Sequence, residues 1–553
     1  MTATEPPASP KLPALDRRSL LKAGLLGSGM LAAPLSASQP GRGFTHGVAS
    51  GEPGPDRVLL WTRFQADQDA PLEFEISDSV DFTRKIAGGS IAARAENDWC
   101  CKTFAKGLEP AQSYYFRFIA PDGSISDIGR TRTLPEGPAD RFRMAVFSCA
   151  NIGFGWFNAY AHAAADGNFD CVLHLGDYFY EYAPGTYPST DETVSGRSVW
   201  PSHELVALAD YRERYAAYRQ DPDLRRLHQL FPMIAVWDDH ESANDSWEGG
   251  AENHQPDSEG EWSVRKAAAM KAYREWMPVS DEPWAEYEVG DLATLYRLET
   301  RLTARAKQFS LGDVLRGGSS PEEAKAALIA FRDGDYRDPA RELLGSAQQD
   351  WLAEGFSRSK AAGKTWQVLV QQVLMGNLVS SPSLAAALPK DAPDYIRQRV
   401  LAGAMAGAEG VPFSMDAWDG YPAARRRVFE AALSADANLI SLAGDTHNAW
   451  AFDLDLEGTP VGVEFGGQSV TSPGFEGYLP QVPPDVLARD AVATNAQLQW
   501  MDSSRRGYMA VELTPGSATS EYRFLGSVRE KGAGVVATKR MTTLAGSRKL
   551  DMG

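Results

Sequence analysis

Apolar runs that stop abruptly on a polar pair restrict the architectures open to this chain more than any other feature. Residues 171–182 read Cys-Val-Leu-His-Leu-Gly-Asp-Tyr-Phe-Tyr-Glu-Tyr. A short apolar run ending in glycine and aspartate is the pattern of a buried strand. Such a strand delivers a carboxylate to the carboxyl edge of a sheet, where open α/β folds place their ligands. The pattern recurs: Met144 to Cys149 runs into Ala150-Asn151, Met233 to Trp237 into Asp238-Asp239-His240-Glu241, and Leu439 to Ala443 into Gly444-Asp445-Thr446-His447-Asn448. A single Gly-Asp after a strand is more often a turn than a ligand. Repetition with Cys, Asp, Asp-His and Asp-x-His points instead to metal. Thiolate, imidazole and carboxylate suit transition ions, and the remaining oxygens suit a hard second cation.

A chain of 553 residues is too long for one ordinary core, so more than one domain is expected. The formal charge of −18 argues against nucleic acid or an anionic membrane surface as a partner. It is compatible with a phosphate ester, because bound cations reverse the field locally. Of the cysteines, Cys100 and Cys101 are adjacent, which strains a disulfide between them, and Cys171 reads as a small core residue. Nothing resembles a Gly-x-Ser-x-Gly elbow, so a covalent serine intermediate is disfavoured.

In chain order, residues 1–40 form a targeting segment. Arg17-Arg18-Ser19-Leu20-Leu21-Lys22 precedes a modest apolar run over 23–33 and then small residues, too short a run to span a membrane. This layout is similar to a Tat signal, which implies export by the Tat machinery to the periplasm or beyond. An ordinary signal n-region is the alternative. Residues 41–138 are expected to form a small all-β domain with strands over 58–63, 72–77 and 113–119. Gly107-Leu108-Glu109-Pro110 ahead of Ser113-Tyr114-Tyr115-Phe116 resembles the tyrosine corner of a fibronectin type III sandwich. Residues 139–530 form the second domain. Its helices are expected over 156–165, 205–220, 262–276 and 425–433, a charged helical insertion over 313–341, and a strand over 366–371. Strands over 461–465, 508–513 and 520–524 are expected together in a second sheet. The tail 531–553 is expected to be disordered or loosely packed.

The ordered motifs Phe147-Ser148-Cys149, Leu175-Gly176-Asp177-Tyr178-Phe179-Tyr180-Glu181, Trp237-Asp238-Asp239-His240-Glu241 and Gly444-Asp445-Thr446-His447-Asn448 resemble those of the alkaline phosphatase D (PhoD-like) family of metallophosphatases. The resemblance runs from about Phe44 to beyond Ser472. It implies a four-layer α/β/β/α sandwich behind the small fibronectin-III-like domain, and hydrolysis of phosphate monoesters or diesters by a metal-activated hydroxide. It also implies Fe(3+) held by Cys149, Asp177, Tyr180 and His447, a set in which a trivalent ion keeps phenolate and thiolate deprotonated. The implied Ca(2+) sites take Asp177, Asp445 and an oxygen from after the third strand. Most of the superfamily has Gly-Asn-His where this chain has Asp238-Asp239-His240, which leaves Asp239 and Asn244 as alternatives for that oxygen.

His240 is a candidate to protonate the leaving oxygen or bind phosphate, with a purely supporting histidine as the plainer alternative. Leu298-Glu299-Thr300-Arg301 resembles a family strand and loop. Arg301 is accordingly a candidate phosphate clamp, with a surface ion pair as the alternative. His46 and His174 read as structural, the latter facing away from Leu175. Glu181 and Tyr182 read as supporting residues, and Tyr182, Tyr187 and Trp200 as part of a pocket mouth. Two rival functions are a phospholipase D or phosphodiesterase on the same scaffold, and a secreted binding protein with a structural metal site.

Overall fold

The computed structural model describes residues 41–316, 320–388, 394–412 and 414–552. The expected export signal over 1–40 lies outside them. The apolar runs form strands because both of their faces are covered, the condition under which a strand reads as a continuous hydrophobic stretch. Met144, Val146, Cys171 and Leu173 face Val368, Val370, Ile440, Leu442 and Val463 across an inter-sheet core. The intervening Ala145, Phe147 and Val172 point the other way, onto Tyr160, Tyr211 and Tyr215 of the helices Asn158–Asp166 and Leu208–Tyr218. On the far side, Tyr296, Leu369 and Leu439 pack on Leu352, Phe356, Val428 and Phe429 of the helices Ser346–Ala361 and Pro422–Ser434. The layers therefore run helix, sheet, sheet, helix, as expected. Each buried Leu, Ile, Val or Phe contributes roughly 1.5–3 kcal/mol by leaving water.

The first sheet has ten strands, in the order Leu550–Asp551, Val535–Leu544, Ser517–Leu525, Gly507–Leu513, Phe142–Phe147, Cys171–His174, Pro232–Ala235, Gly43–Gly51, Arg57–Gln65 and Cys100–Lys106. The second has seven: Ala285–Val289, Ala293–Arg297, Trp366–Val370, Leu439–Ala443, Thr459–Gly466, Ala449–Leu456 and Leu498–Asp502. In each sheet the central strands are parallel, so their carboxyl ends share an edge.

Two expectations are corrected. Gly507–Leu513 and Ser517–Leu525 do not join Thr459–Gly466 in the second sheet. The former pairs antiparallel with Phe142–Phe147 in the first, carrying the latter with it. Alternation marks a half-buried strand but not its sheet, because Met509, Val511 and Val463 all face the same inter-sheet core. Nor is the tail loose. Val535–Leu544 pairs along Ser517–Leu525, and Leu550–Asp551 closes on it. Only Met541 and Thr543 of that strand are buried, which gives it the composition of a solvated segment.

The N-terminal part is all β, but its strands divide. Lys85–Ala93, Ala70–Ser77, Ser113–Ile119 and Gly129–Arg132 form a separate four-stranded sheet, whereas Gly43–Gly51, Arg57–Gln65 and Cys100–Lys106 extend the ten-stranded one. The join is a parallel pairing of Ser50 and Gly51 with Pro232 and Met233. It needs glycine, since a Cβ at Gly51 would lie 2.0 Å from the Pro278 carbonyl oxygen. The tyrosine corner is present: the Glu109 N–H donates to the buried Tyr114 hydroxyl at 2.9 Å. Replacing Tyr114 by Phe removes that acceptor. It should cost about 1 kcal/mol in urea unfolding while leaving metal content unchanged.

Candidate metal centre

Cys149, Asp177 and Asp238 follow the carboxyl ends of three adjacent strands of the first sheet, and Asp445 and His447 follow Leu439–Ala443 of the second. Backbone bonds between the loops continue the sheet past its last strand residues: Leu175 N donates to Phe147 O (2.8 Å), Cys149 N to Gly176 O (3.2 Å) and Ala150 N to Asp177 O (2.8 Å). The two sheet edges meet where a Cβ on Gly444 would lie 2.7 Å from that of Ser148. Cys149, Asp177, Asp445 and His447 all have left-handed backbone, with φ of 59°, 52°, 65° and 63°. Such conformations cost of order 1–3 kcal/mol each in non-glycine residues and cluster at functional sites.

Three groups of potential ligand atoms result, each within 4.8 Å: Cys149 with Asp177 and His447, Asp177 with Asp239 and His240, and Asp238 with Asp239 and Asp445. Asp177 thus belongs to two of them. The Tyr180 hydroxyl lies 3.2 Å from Asp177 Oδ2 and 3.0 Å from His447 Nε2, and accepts from Ser472 Oγ at 2.7 Å. His447 Nδ1 sits 2.8 Å from the Pro473 carbonyl, which only accepts. The proton is therefore on Nδ1, and the Nε2 lone pair faces Tyr180 and Asp177. Burial pushes His447 down to about 3, so the ring is neutral, as a ligand must be.

Cation binding is the natural use of this arrangement. Asp177 Oδ1, Asp238 Oδ2 and Asp239 Oδ1 are buried without a hydrogen-bond partner, a costly state for carboxylate oxygens that an ion relieves. Burial raises the Asp177 and Asp445 carboxyls, the Cys149 thiol and the Tyr180 phenol well above their ordinary values. A bound cation reverses that tendency.

Supporting residues surround these groups. The Glu241 carboxylate accepts from the backbone N–H of Asp177 (3.1 Å), Tyr178 (2.5 Å) and Asp238 (2.7 Å), tying two strand ends together. Glu181 accepts from His240 Nδ1 (2.7 Å), Asn244 N (2.7 Å) and Asn253 Nδ2 (2.9 Å). Burial alone would lower His240, but the Asp239, Glu181 and Asp177 carboxylates together hold it well above its usual value as an imidazolium. Tyr180 and Tyr182 flank its ring at centroid distances of 4.2 and 5.5 Å, and Tyr187 packs on Tyr180 at 5.5 Å.

Arg301 is fully buried, so the ion pairing that was the alternative to a phosphate clamp is present, but in the interior and not at the surface. Its Nε donates to Asp238, Nη1 to Asp416 (2.7 Å) and Nη2 to Asp445 (3.2 Å), so its nitrogens face carboxylates rather than an open phosphate position. Asp239 and Asn244 separate. Asp239 points into two ligand groups, while the Asn244 amide turns to Glu252 at 3.1 Å. His174 Nε2 meets the Tyr160 hydroxyl at 2.9 Å on the helix side, as expected of a structural residue. His46 is likewise buried against Thr45 and Trp276. Trp200 is 38 % exposed.

Sequence reasoning missed Asp238, Glu241 and Asp416. The first two stand in the Asp-Asp-His-Glu run and were legible as extra carboxylates there. Asp416 has no local signal, since its partner Arg301 is 115 residues away.

Comparison with known proteins gives a consistent result. A family model described as "PhoD-like phosphatase" matches residues 144–522, and one described as "PhoD-like phosphatase, N-terminal domain" matches residues 30–135. The chain is 33% identical over 530 residues to alkaline phosphatase D of Bacillus subtilis (strain 168), covering 91% of this chain and 81% of that protein. A solved structure titled "Structure of PhoD" is similar with a TM-score of 0.75 and 29% identity, over 93% of both chains.

The geometry makes distinct predictions for the ligand candidates. Asp177→Asn and His447→Ala should each lose bound metal, by elemental analysis of dialysed protein, with native circular dichroism. Asp239→Asn should also lose metal, whereas Asn244→Ala should retain it. Equal loss in the last two would contradict the orientations described.

Proposed function

The chain belongs to the PhoD-like phosphatase family and is a metal-dependent phosphoesterase; from that premise we propose an exported Fe(3+)- and Ca(2+)-dependent enzyme of alkaline phosphatase D type, acting on phosphate monoesters and diesters. The observation that carries the metal assignment is the convergence of Asp177, Asp238 and Asp239 oxygens that lack a hydrogen-bond partner, that of Asp239 having only a 3.9 Å ion pair with Arg301, with Cys149, Tyr180 and the Nε2 lone pair of His447. Thiolate, phenolate, imidazole and carboxylate together suit a ferric ion, and the all-oxygen set of Asp238, Asp239 and Asp445 suits calcium. Bound there, such ions supply positive charge to a phosphoryl group and lower the pKa of water.

The chain's own residues supply the rest. Nδ1 of His240 is fixed on Glu181, leaving Nε2–H to donate to the leaving oxygen or a non-bridging oxygen. Arg301 pairs with Asp238, Asp416 and Asp445 and holds them in one orientation. Tyr182 and Tyr187 wall the centre beside His240 and Tyr180. Arg17-Arg18 and the apolar run after them support Tat export to the periplasm or beyond. No helix among the described residues is long and apolar enough to cross a membrane.

His240→Ala should lower kcat on an aryl phosphate by roughly 10²–10⁴-fold with metal content retained. The loss should be greater for alkyl esters, whose leaving oxygens need the proton more. Equal losses on both would remove His240 from the proton-donor role. Purified enzyme should contain iron and show a visible phenolate-to-iron band that Tyr180→Phe abolishes. Colourless, iron-free enzyme that still hydrolyses phosphate esters would overturn the ferric assignment alone.

A further inference from the structure

The proposed ligands come from two different sheets, so their spacing depends on what couples one sheet edge to the other. We propose that Gln372 is the positioning residue that does this. It lies just beyond the strand Trp366–Val370 and is fully buried. Its Nε2 donates across to the first sheet, to the Trp237 carbonyl (2.8 Å), and also to the Leu298 carbonyl (3.2 Å). Its Oε1 accepts from Thr300 Oγ1 at 2.7 Å. Its own backbone carbonyl accepts from Gly444 N at 2.6 Å. Trp237, Thr300 and Gly444 immediately precede Asp238, Arg301 and Asp445. One side chain and one carbonyl thus set the relative positions of two proposed calcium ligands and of the arginine that pairs with both.

The amide is used in full: both N–H groups donate and the oxygen accepts, so no apolar isostere can replace it. Gln367, on the strand that leads to Gln372, is an equally buried glutamine. Among the described residues its side chain bonds to Ser359, Lys364 and Asn438, none of which adjoins a proposed ligand. This makes it a matched control for generic loss of buried hydrogen bonds.

The inference rests on Asp238, Asp239 and Asp445 holding a cation. Gln372→Met, Gln367→Met, Thr300→Ala and Asp239→Asn are compared in the full-length enzyme by elemental analysis, calcium titration after chelation, kcat and urea unfolding. Gln372→Met should weaken calcium binding by about 10–100-fold and lower kcat, while the iron content and the visible band persist. Thr300→Ala should give a smaller loss in the same direction. Gln367→Met should lose stability without changing calcium affinity. Wild-type calcium affinity in Gln372→Met, or an equal loss in Gln367→Met, overturns the role. If Gln372→Met does not fold, Thr300→Ala decides, and unchanged affinity there overturns it. Unchanged calcium affinity in Asp239→Asn instead sinks the underlying site assignment.

Discussion

Buried negative charge is the constraint on which the rest of this molecule depends. Asp177, Asp238 and Asp239 are withdrawn from water in one place, with Asp445 partly exposed beside them. Unpaired, such a cluster is prohibitive, because each desolvated charge costs several kcal/mol and like charges repel. The chain offsets part of this with Arg301, which pairs with Asp238, Asp445 and Asp239, and with His240, whose charge is held by Asp239, Glu181 and Asp177. What remains are carboxylate oxygens with no hydrogen-bond donor, and these are the atoms proposed to meet metal.

Holding that cluster requires rigid supports, and parallel strands are well suited to it. Strands packed on both faces cannot slide without exposing one of the cores that cover them. Their carboxyl ends therefore keep their spacing, and the residues just past them absorb the distortion as left-handed backbone at Cys149, Asp177, Asp445 and His447. Glu241 ties two strand ends within the first sheet, and Gly444 allows the second to approach it. The strain sits where the chemistry is, and the surrounding core sustains it.

The individual strands and helices were legible because two-faced burial leaves uninterrupted apolar runs and helices leave 3.6-residue spacing, whereas their order in four layers was implied by the family resemblance; the helix expected over 262–276 is the observed Trp262–Trp276. The tyrosine corner was legible because it is local, joining Glu109 and Tyr114. Strand membership was not: Gly507–Leu513 and Thr459–Gly466 face the same core from opposite sheets, and alternation is the same in both. The tail strand escaped notice because an outer strand with one wet face has the composition of a loop. Arg301 was singled out for the wrong surroundings, because nothing near it in the chain signals Asp416 or Asp445.

By itself, the sequence determined which residue types stand at the strand ends, a thiol at Cys149, carboxyls at Asp177 and Asp445 and imidazoles at His240 and His447, while the grouping of Cys149, Asp177 and His447 as one ligand set was implied by the family resemblance. Those are local properties: strand ends are set by apolar runs and the glycines that stop them. Only the tertiary structure decided that Asp239 faces the centre while Asn244 turns to Glu252, that His447 presents Nε2, and that Arg301 is spent on carboxylates. Side-chain direction and tautomer depend on partners far away in the chain, and these become neighbours only when the two sheets close on each other.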